Sequence, residues 1–243
     1  MNLRARVHQF TYYVFPGLCI LCKKLTHRQL DICLACEPNL LWLRNCCPYC
    51  AEPSLDTLPC AACLQKPPGF SATLSGFEYR FPITALVHAF KDSPHLSSGH
   101  VLTNLAFRRH RQTLTNISGE DLLVAPVPLH PRELRARGFN QSQLITQQLA
   151  TLIPAKLDQT LVHRVIDTPD QKSLTLASRK HNPKDSFRVE RNLNGKRILL
   201  VDDVVTTGTT VMEISHRLMQ SGASDVVVFS LARTPPVIRG LLQ

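Results

Sequence analysis

The run Ile198-Leu199-Leu200-Val201-Asp202-Asp203-Val204-Val205-Thr206-Thr207-Gly208-Thr209-Thr210 orients the reading of the whole chain. Its four leading apolar residues predict a buried strand, with two adjacent carboxylates at that strand's C-terminal end. A loop of Thr and Gly follows, and then Val211, Ile214, Leu218 and Met219 recur at helical spacing. In parallel α/β sheets, ligands bind at the carboxyl ends of strands, and a helix N-terminus attracts phosphate. Backbone N–H groups around Gly208 suit a phosphate, the Thr hydroxyls add donors, and Asp202 and Asp203 suit a sugar diol or a metal. The combination points to a sugar phosphate as ligand.

Other readings of the same stretch explain less of it. A hydrophobic run ending in Asp also resembles a Walker B strand, but no G-x-x-x-x-G-K-[ST] occurs in the chain to complete it. The acidic pocket of a response-regulator receiver would sit near the start of its own domain. Plain strand termination and helix capping need neither two acids nor a Thr-Thr-Gly-Thr-Thr loop.

The chain of 243 residues, 44% of them hydrophobic, suits one ordinary domain plus a small module. Lys and Arg outnumber Asp and Glu by 28 to 18, a net charge of +10. That surplus favours anionic partners: nucleic acid, phosphorylated metabolites or membrane headgroups. No segment reaches the ~18 apolar residues of a membrane span. Arg4 and Arg6 precede an apolar stretch that Pro16 and Gly17 interrupt, without the small-residue cleavage site of a secretory signal. The expected compartment is the cytoplasm, where cysteines persist as thiols.

All nine cysteines fall between residues 19 and 63, and eight form C-x-x-C pairs: Cys19/Cys22, Cys33/Cys36, Cys47/Cys50 and Cys60/Cys63. A two-residue spacer lets one knuckle aim both thiolates at one metal, so four knuckles supply two tetrahedral Zn²⁺ sites, whose binding would drive folding of the segment. A disulfide module conflicts with the compartment, and no βαβ pattern supports a redox motif. Neighbouring knuckles sharing a zinc and alternate pairs interleaving both remain open. Cys46 is either a substitute for Cys47 or a free thiol. Lys23, Lys24, His27, Arg28 and Arg44, with Trp42 and Tyr49, are a candidate nucleic-acid face, charge combined with stacking.

Lys66-Pro67-Pro68-Gly69 reads as a stiff linker. The expected organisation is a lead-in over 1–18, a double zinc ribbon over 19–66 and an α/β domain over 70–235. The pattern predicts a strand at 71–80, helices over Ile83–Lys91 and 97–114, and a strand at 121–127. Arg108, Arg109, His110 and Arg111 read as a solvated helix end. Next, Arg132, Arg135 and Arg137 lie on a Pro- and Gly-bounded loop suited to gripping pyrophosphate. A helix over Gln141–Leu152 follows, then strands at 160–166, 186–189 and 224–231. After the first of these comes a polar stretch with Gln171, Leu174, Arg179, Asn182 and Phe187. Alternating strands and helices imply a doubly wound parallel sheet.

Taken together, the four knuckles, Val127-Pro128-Leu129, Arg137-Gly138-Phe139-Asn140-Gln141, Gln171 with Leu174, Arg179 and Asn182, and residues 202–210 resemble the ComF family, in its GntX branch. Residues 202–210 resemble the phosphoribosyl-pyrophosphate signature of type I phosphoribosyltransferases. The resemblance implies a double zinc ribbon with two structural Zn²⁺ before a type I phosphoribosyltransferase-like fold. It implies that Asp202 and Asp203 hold ribose hydroxyls, that Thr206, Thr207, Gly208, Thr209 and Thr210 cradle the 5′-phosphate, and that Mg²⁺ accompanies the pyrophosphate of phosphoribosyl pyrophosphate. Arg132, Arg135, Arg137, Asn140, Gln171 and Arg179 complete the expected ligand contacts. The implied role is natural competence, meaning DNA uptake or use of external DNA. Single-stranded DNA and DNA-uptake or DNA-processing proteins are the expected partners, in the cytoplasm up to the inner face of the membrane. A phosphoribosyltransferase of nucleotide salvage and a ligand-responsive regulator without turnover are the alternatives.

Overall fold

The structure is a computed structural model that describes residues 12, 14–54, 56–92, 96–165 and 186–236. In chain order its elements are β1 (Gly17–Leu18), β2 (Leu25–Thr26), a 3-10 turn (Glu37–Asn39), α1 (Ala61–Gln65), β3 (Ala72–Glu78), α2 (Ile83–Lys91), α3 (Leu96–Ile117) and β4 (Leu122–Pro126). Then come α4 (Pro131–Arg137), α5 (Gln141–Leu152), β5 (Lys156–Leu157), β6 (His163–Arg164), β7 (Phe187–Arg188), β8 (Arg197–Val205), α6 (Thr209–Gln220) and β9 (Asp225–Arg233).

Five strands form one parallel sheet in the order β3-β9-β8-β4-β5. The near-continuous apolar runs of β4, β8 and β9 reflect burial on both faces. Along β8 the side chains alternate between two cores. Leu199 and Val201 join Leu102 and Leu105 of α3 and Ile145 and Leu149 of α5, whereas Ile198 and Leu200 join Val211, Ile214 and Leu218 of α6. β9 repeats the pattern, with Val227, Phe229 and Leu231 on the first face and Val226 and Val228 on the second. The sheet is therefore doubly wound, as the alternation of elements implies.

From β4 the chain passes through α4 and α5 to β5 on one side, and from β8 through α6 to β9 on the other. The strand order thus reverses between β4 and β8, and a crevice opens beyond the carboxyl ends of strands at such a switch point. The residues after β4 and the acid pair of β8 meet there.

The cysteine-rich segment packs on the β3 edge. Trp42 bridges antiparallel to Phe77, Leu43 N donates to Gly76 O (3.1 Å), and Glu78 N donates to Leu41 O (2.8 Å). This bridged segment covers backbone groups that would otherwise be left open at a sheet edge. Gly76 is required at the seam, because a Cβ there would lie 2.7 Å from the Cβ of Ala106 in α3. Ile20, Leu30, Ile32 and Leu40 share one core with Leu74 and Phe77.

Three local expectations change. The strand expected at 160–166 shrinks to β6, paired antiparallel with β7 outside the main sheet. Asp158 Oδ1 accepts from both Thr160 N and Thr160 Oγ1, which turns the chain away from the sheet after β5. The basic cluster of α3 is not simply solvated: Arg109 donates to Leu43 O, and His110 Nε2 donates to Ser75 O at 2.9 Å. The arginine loop is the helix α4, with Pro131 in its first turn, His130 Nδ1 accepting from Arg132 N (3.1 Å) and left-handed Gly138 closing it.

Candidate functional site

β8 continues as strand through both aspartates to Val205. Asp202 Oδ1 accepts from Ser142 Oγ at the start of α5 (3.2 Å), and Asp203 Oδ2 pairs with Lys91 Nζ at the end of α2 (2.9 Å). Each carboxylate also accepts the next backbone amide, Asp203 N to Asp202 (2.9 Å) and Val204 N to Asp203 (2.7 Å). Burial, and then the charge of Asp203, push the Asp202 carboxyl up to about 7, against the amide, Ser142 and Lys91, which favour its ionised form. One acid of the pair thus titrates near neutrality.

The loop after β8 turns at Gly208, which adopts φ 82° as the N-cap of α6 and leaves that helix start without a side-chain cap. The Thr207 and Thr209 hydroxyls share a hydrogen bond (2.9 Å), and Thr207 Oγ1 accepts from Thr209 N (3.3 Å). Asp202 and residues 204–211 line a small recess here. Amides of a first helical turn have no intrahelical acceptors, so beyond Thr209 N, which Thr207 accepts, the helix start lends donors to a recess that Asp202 also lines.

Next to it lies a crevice of ≈210 Å³ whose walls include Lys91, Pro128, Arg137, Gln141, Asp202 and Asp203. Of the expected ligand contacts, Arg137 lines this crevice, whereas Arg132 and Arg135 project from exposed positions of α4. Asn140 is in the wall, but its amide is engaged by the fold. Oδ1 caps α5 by accepting from Ser142 N (2.9 Å), and Nδ2 donates to Val127 O (3.0 Å). Gln171 and Arg179, with Leu174 and Asn182, lie outside the described residues.

Sequence reasoning overlooked Lys91 and Gln141. Gln141 is 1% exposed, and its Nε2 has no hydrogen-bond partner among the described residues, a buried donor at the crevice wall. Gln141 was within reach, because it closes the Arg-Gly-Phe-Asn-Gln motif. Lys91 carries no local signal.

The knuckles assemble as neighbours. The thiols of Cys19, Cys22, Cys33 and Cys36 form one cluster and those of Cys47, Cys50, Cys60 and Cys63 a second, each set within 4.8 Å. Cys22 and Cys33 Sγ are 3.8 Å apart, and Cys50 and Cys60 Sγ are 3.7 Å apart. A tetrahedron with Zn–S bonds of ~2.3 Å has edges of about 3.8 Å. Both clusters therefore fit a structural zinc. Burial would raise the Cys19 thiol, but the amides of Cys22, Cys33 and Leu21 outweigh it and bring it down to about 6, favouring thiolate. Cys46 belongs to neither cluster, and burial raises its thiol further.

The suggested nucleic-acid face is only partly available. Trp42 stacks on Phe77 with ring centroids 4.7 Å apart, and Arg28 pairs with Glu37 at 2.7 Å, while Lys24, Arg44 and Tyr49 are exposed. Among the described residues no helix is long and apolar enough to cross a membrane.

Residues 10–64 match the double zinc ribbon domain family, and residues 140–235 match the phosphoribosyl transferase domain family. The chain is 37% identical over 223 residues to the DNA utilization protein YhgH of Escherichia coli (strain K12), covering 90% of this chain and 98% of that protein. It is 29% identical over 234 residues to competence protein F of Haemophilus influenzae, again covering 90% and 98%. A solved hypoxanthine phosphoribosyltransferase from Staphylococcus aureus aligns with 54% of this chain and 62% of its own at 13% identity and a TM-score of 0.37. Near-complete alignment with these DNA-utilization and competence proteins, carried by both matched domains, makes the chain a member of the ComF family.

Proposed function

We propose that this protein binds phosphoribosyl pyrophosphate, or a closely related sugar phosphate, in the switch-point crevice and handles single-stranded DNA during DNA uptake or use of external DNA. The observation that carries the reading is the continuity of three chemistries. Phosphate-seeking amides at residues 206–210 adjoin the diol-accepting Asp202 and Asp203, which adjoin the donors Lys91, Arg137 and Gln141. The 5′-phosphate would sit at the start of α6, the ribose hydroxyls would donate to the aspartates, and the pyrophosphate would lie toward α4, within reach of Arg132 and Arg135. Gln171 and Arg179 are proposed as further contacts.

The two four-cysteine clusters are the only metal-holding groups of three or more His, Cys, Asp or Glu among the described residues. Mg²⁺ would therefore be carried mainly by the pyrophosphate oxygens, where it neutralises charge, with the aspartates nearby. The DNA half rests on the net charge of +10 and on the names of the full-length relatives. DNA-uptake or DNA-processing proteins are the proposed partners.

Isothermal titration of the zinc-loaded protein with phosphoribosyl pyrophosphate and Mg²⁺ is the direct test. Micromolar binding that is lost in Asp202→Ala supports the reading, and no heat up to millimolar ligand removes it. In parallel, binding of labelled single-stranded DNA should weaken steeply between 50 and 200 mM salt, as counterion release requires of a site with several phosphate contacts. Absence of binding at the lower salt would remove the DNA half alone.

A further inference from the structure

We infer that Arg233 is a strut that couples the second zinc knuckle to the phosphate-holding loop, so that zinc at Cys47, Cys50, Cys60 and Cys63 positions the sugar-phosphate site. The link to ligand rests on the reading of residues 206–210 given above; the strut itself does not.

Arg233 ends β9 and is 3% exposed, an unusual place for a guanidinium whose ion pair among the described residues, with Glu52, is as long as 3.7 Å. Its donors divide between two parts of the molecule. Nε donates to Cys50 O (2.9 Å), and NH2 lies 3.7 Å from Glu52 Oε2, both on the second knuckle. NH1 donates to Val205 O (3.3 Å), to Thr206 O and to Thr234 O (2.9 Å), and the first two of these carbonyls open the phosphate loop. Thr234 N donates to Val205 O as well (3.0 Å), fastening β9 to the same turn.

Only a planar fork with several fixed donors serves both sides at once, and a lysine offers a single point charge. The knuckle side is rigid through its own turn, in which Cys47 O accepts from Ala51 N (2.9 Å) and Cys47 N donates to Glu52 O (2.9 Å). Metal at the four thiols holds that turn, and without metal Cys50 O and Glu52 lose their fixed positions. Arg233 would then be a buried cation with two of its five acceptors gone, and Thr206 would lose its brace. By linkage, a ligand that fixes the loop must also strengthen retention of the second zinc.

The test uses the full zinc-loaded chain and Arg233→Lys, with zinc content by elemental analysis, amide hydrogen exchange over the loop, and titration with phosphoribosyl pyrophosphate. The variant is expected to keep the sheet and both zincs while exchange at residues 205–210 rises about tenfold and ligand affinity falls by a similar factor. In the wild type, saturating ligand should slow release of one of the two zincs to a chromogenic chelator, and Arg233→Lys should abolish that protection. Wild-type loop exchange in a two-zinc Arg233→Lys protein overturns the strut. If the wild type binds no ligand but its loop exchange still responds to Arg233→Lys, the strut stands and the sugar-phosphate reading falls. Should Arg233→Lys not fold, Glu52→Gln, which removes only the knuckle-side carboxylate, carries the same exchange measurement with a smaller rise, and an unchanged loop there overturns the proposal.

Discussion

At Asp202 and Asp203 two carboxylates crowd one strand end, and the single ammonium of Lys91 contacts only the second. With Asp202 raised to about 7, the folded chain holds a proton that the unfolded chain releases between about pH 4 and 7. This group's stabilising contribution is therefore complete below the ordinary carboxylate range, declines as pH rises through 7, and levels off above it. Asp202→Asn should consequently be more stable than the wild type at pH 8, with the gap closing toward pH 5.5. Urea midpoints across that range measure it, and a gap independent of pH would contradict the assignment. Lys91→Met should cost about 1–3 kcal/mol, between the values for exposed and buried pairs, and should raise the Asp202 titration further by removing a cation that favours its ionised form. The pair and the eight clustered cysteines were legible because their chemistry is written in adjacent residues. Lys91 and Arg233 were not, since each acquires its role only when distant segments meet around it.

The turn between β8 and α6 depends on backbone conformation rather than on space. Gly208 has φ 82°, and a Cβ there would meet only Val205 Cγ1 at 4.0 Å. Gly208→Ala should therefore cost about 1–2 kcal/mol, the penalty of a left-handed residue, without overpacking. Gly208→Asn should cost less, because Asn tolerates this region. Equal urea midpoints for the wild type and the Ala variant would show that the turn relaxes. The helices Ile83–Lys91 and Gln141–Leu152 were legible residue for residue from apolar spacing and flanking caps. Helix α4 was missed although its signals are present, with Pro131 in the first turn, Glu133 after it, arginines in the last turn and Gly138 beyond. Its seven residues carry no buried side chain, so apolar periodicity was silent. At 160–166 the opposite occurred. Leu161 and Val162 are buried, but in the second core rather than within a sheet strand, and apolar content alone does not separate those outcomes.

Across the whole molecule, the first zinc cluster and the sheet are parts of one hydrophobic unit. Cys19, Ile20, Leu30, Ile32 and Leu40 share a core with Leu74, Phe77 and α3, and the backbone on either side of Trp42 is hydrogen-bonded to the β3 edge. Zinc should therefore support the α/β domain as well as the ribbon, because a ribbon without metal has too little core to hold its shape. The chain contains one tryptophan, and it sits at this seam, stacked on Phe77 at 4.7 Å with the Arg109 guanidinium 6.0 Å from its ring centroid. Tryptophan emission thus reports docking directly. Elemental analysis should give about two zincs per chain. Stripping them with a strong chelator should shift the emission to longer wavelength, lower the melting temperature by several degrees and increase binding of an apolar dye to the uncovered Leu74–Phe77 face. Trp42→Phe should abolish the fluorescence response while the melting shift remains. Emission that stays unchanged after complete zinc removal would show that the ribbon holds its place on the sheet by apolar packing alone.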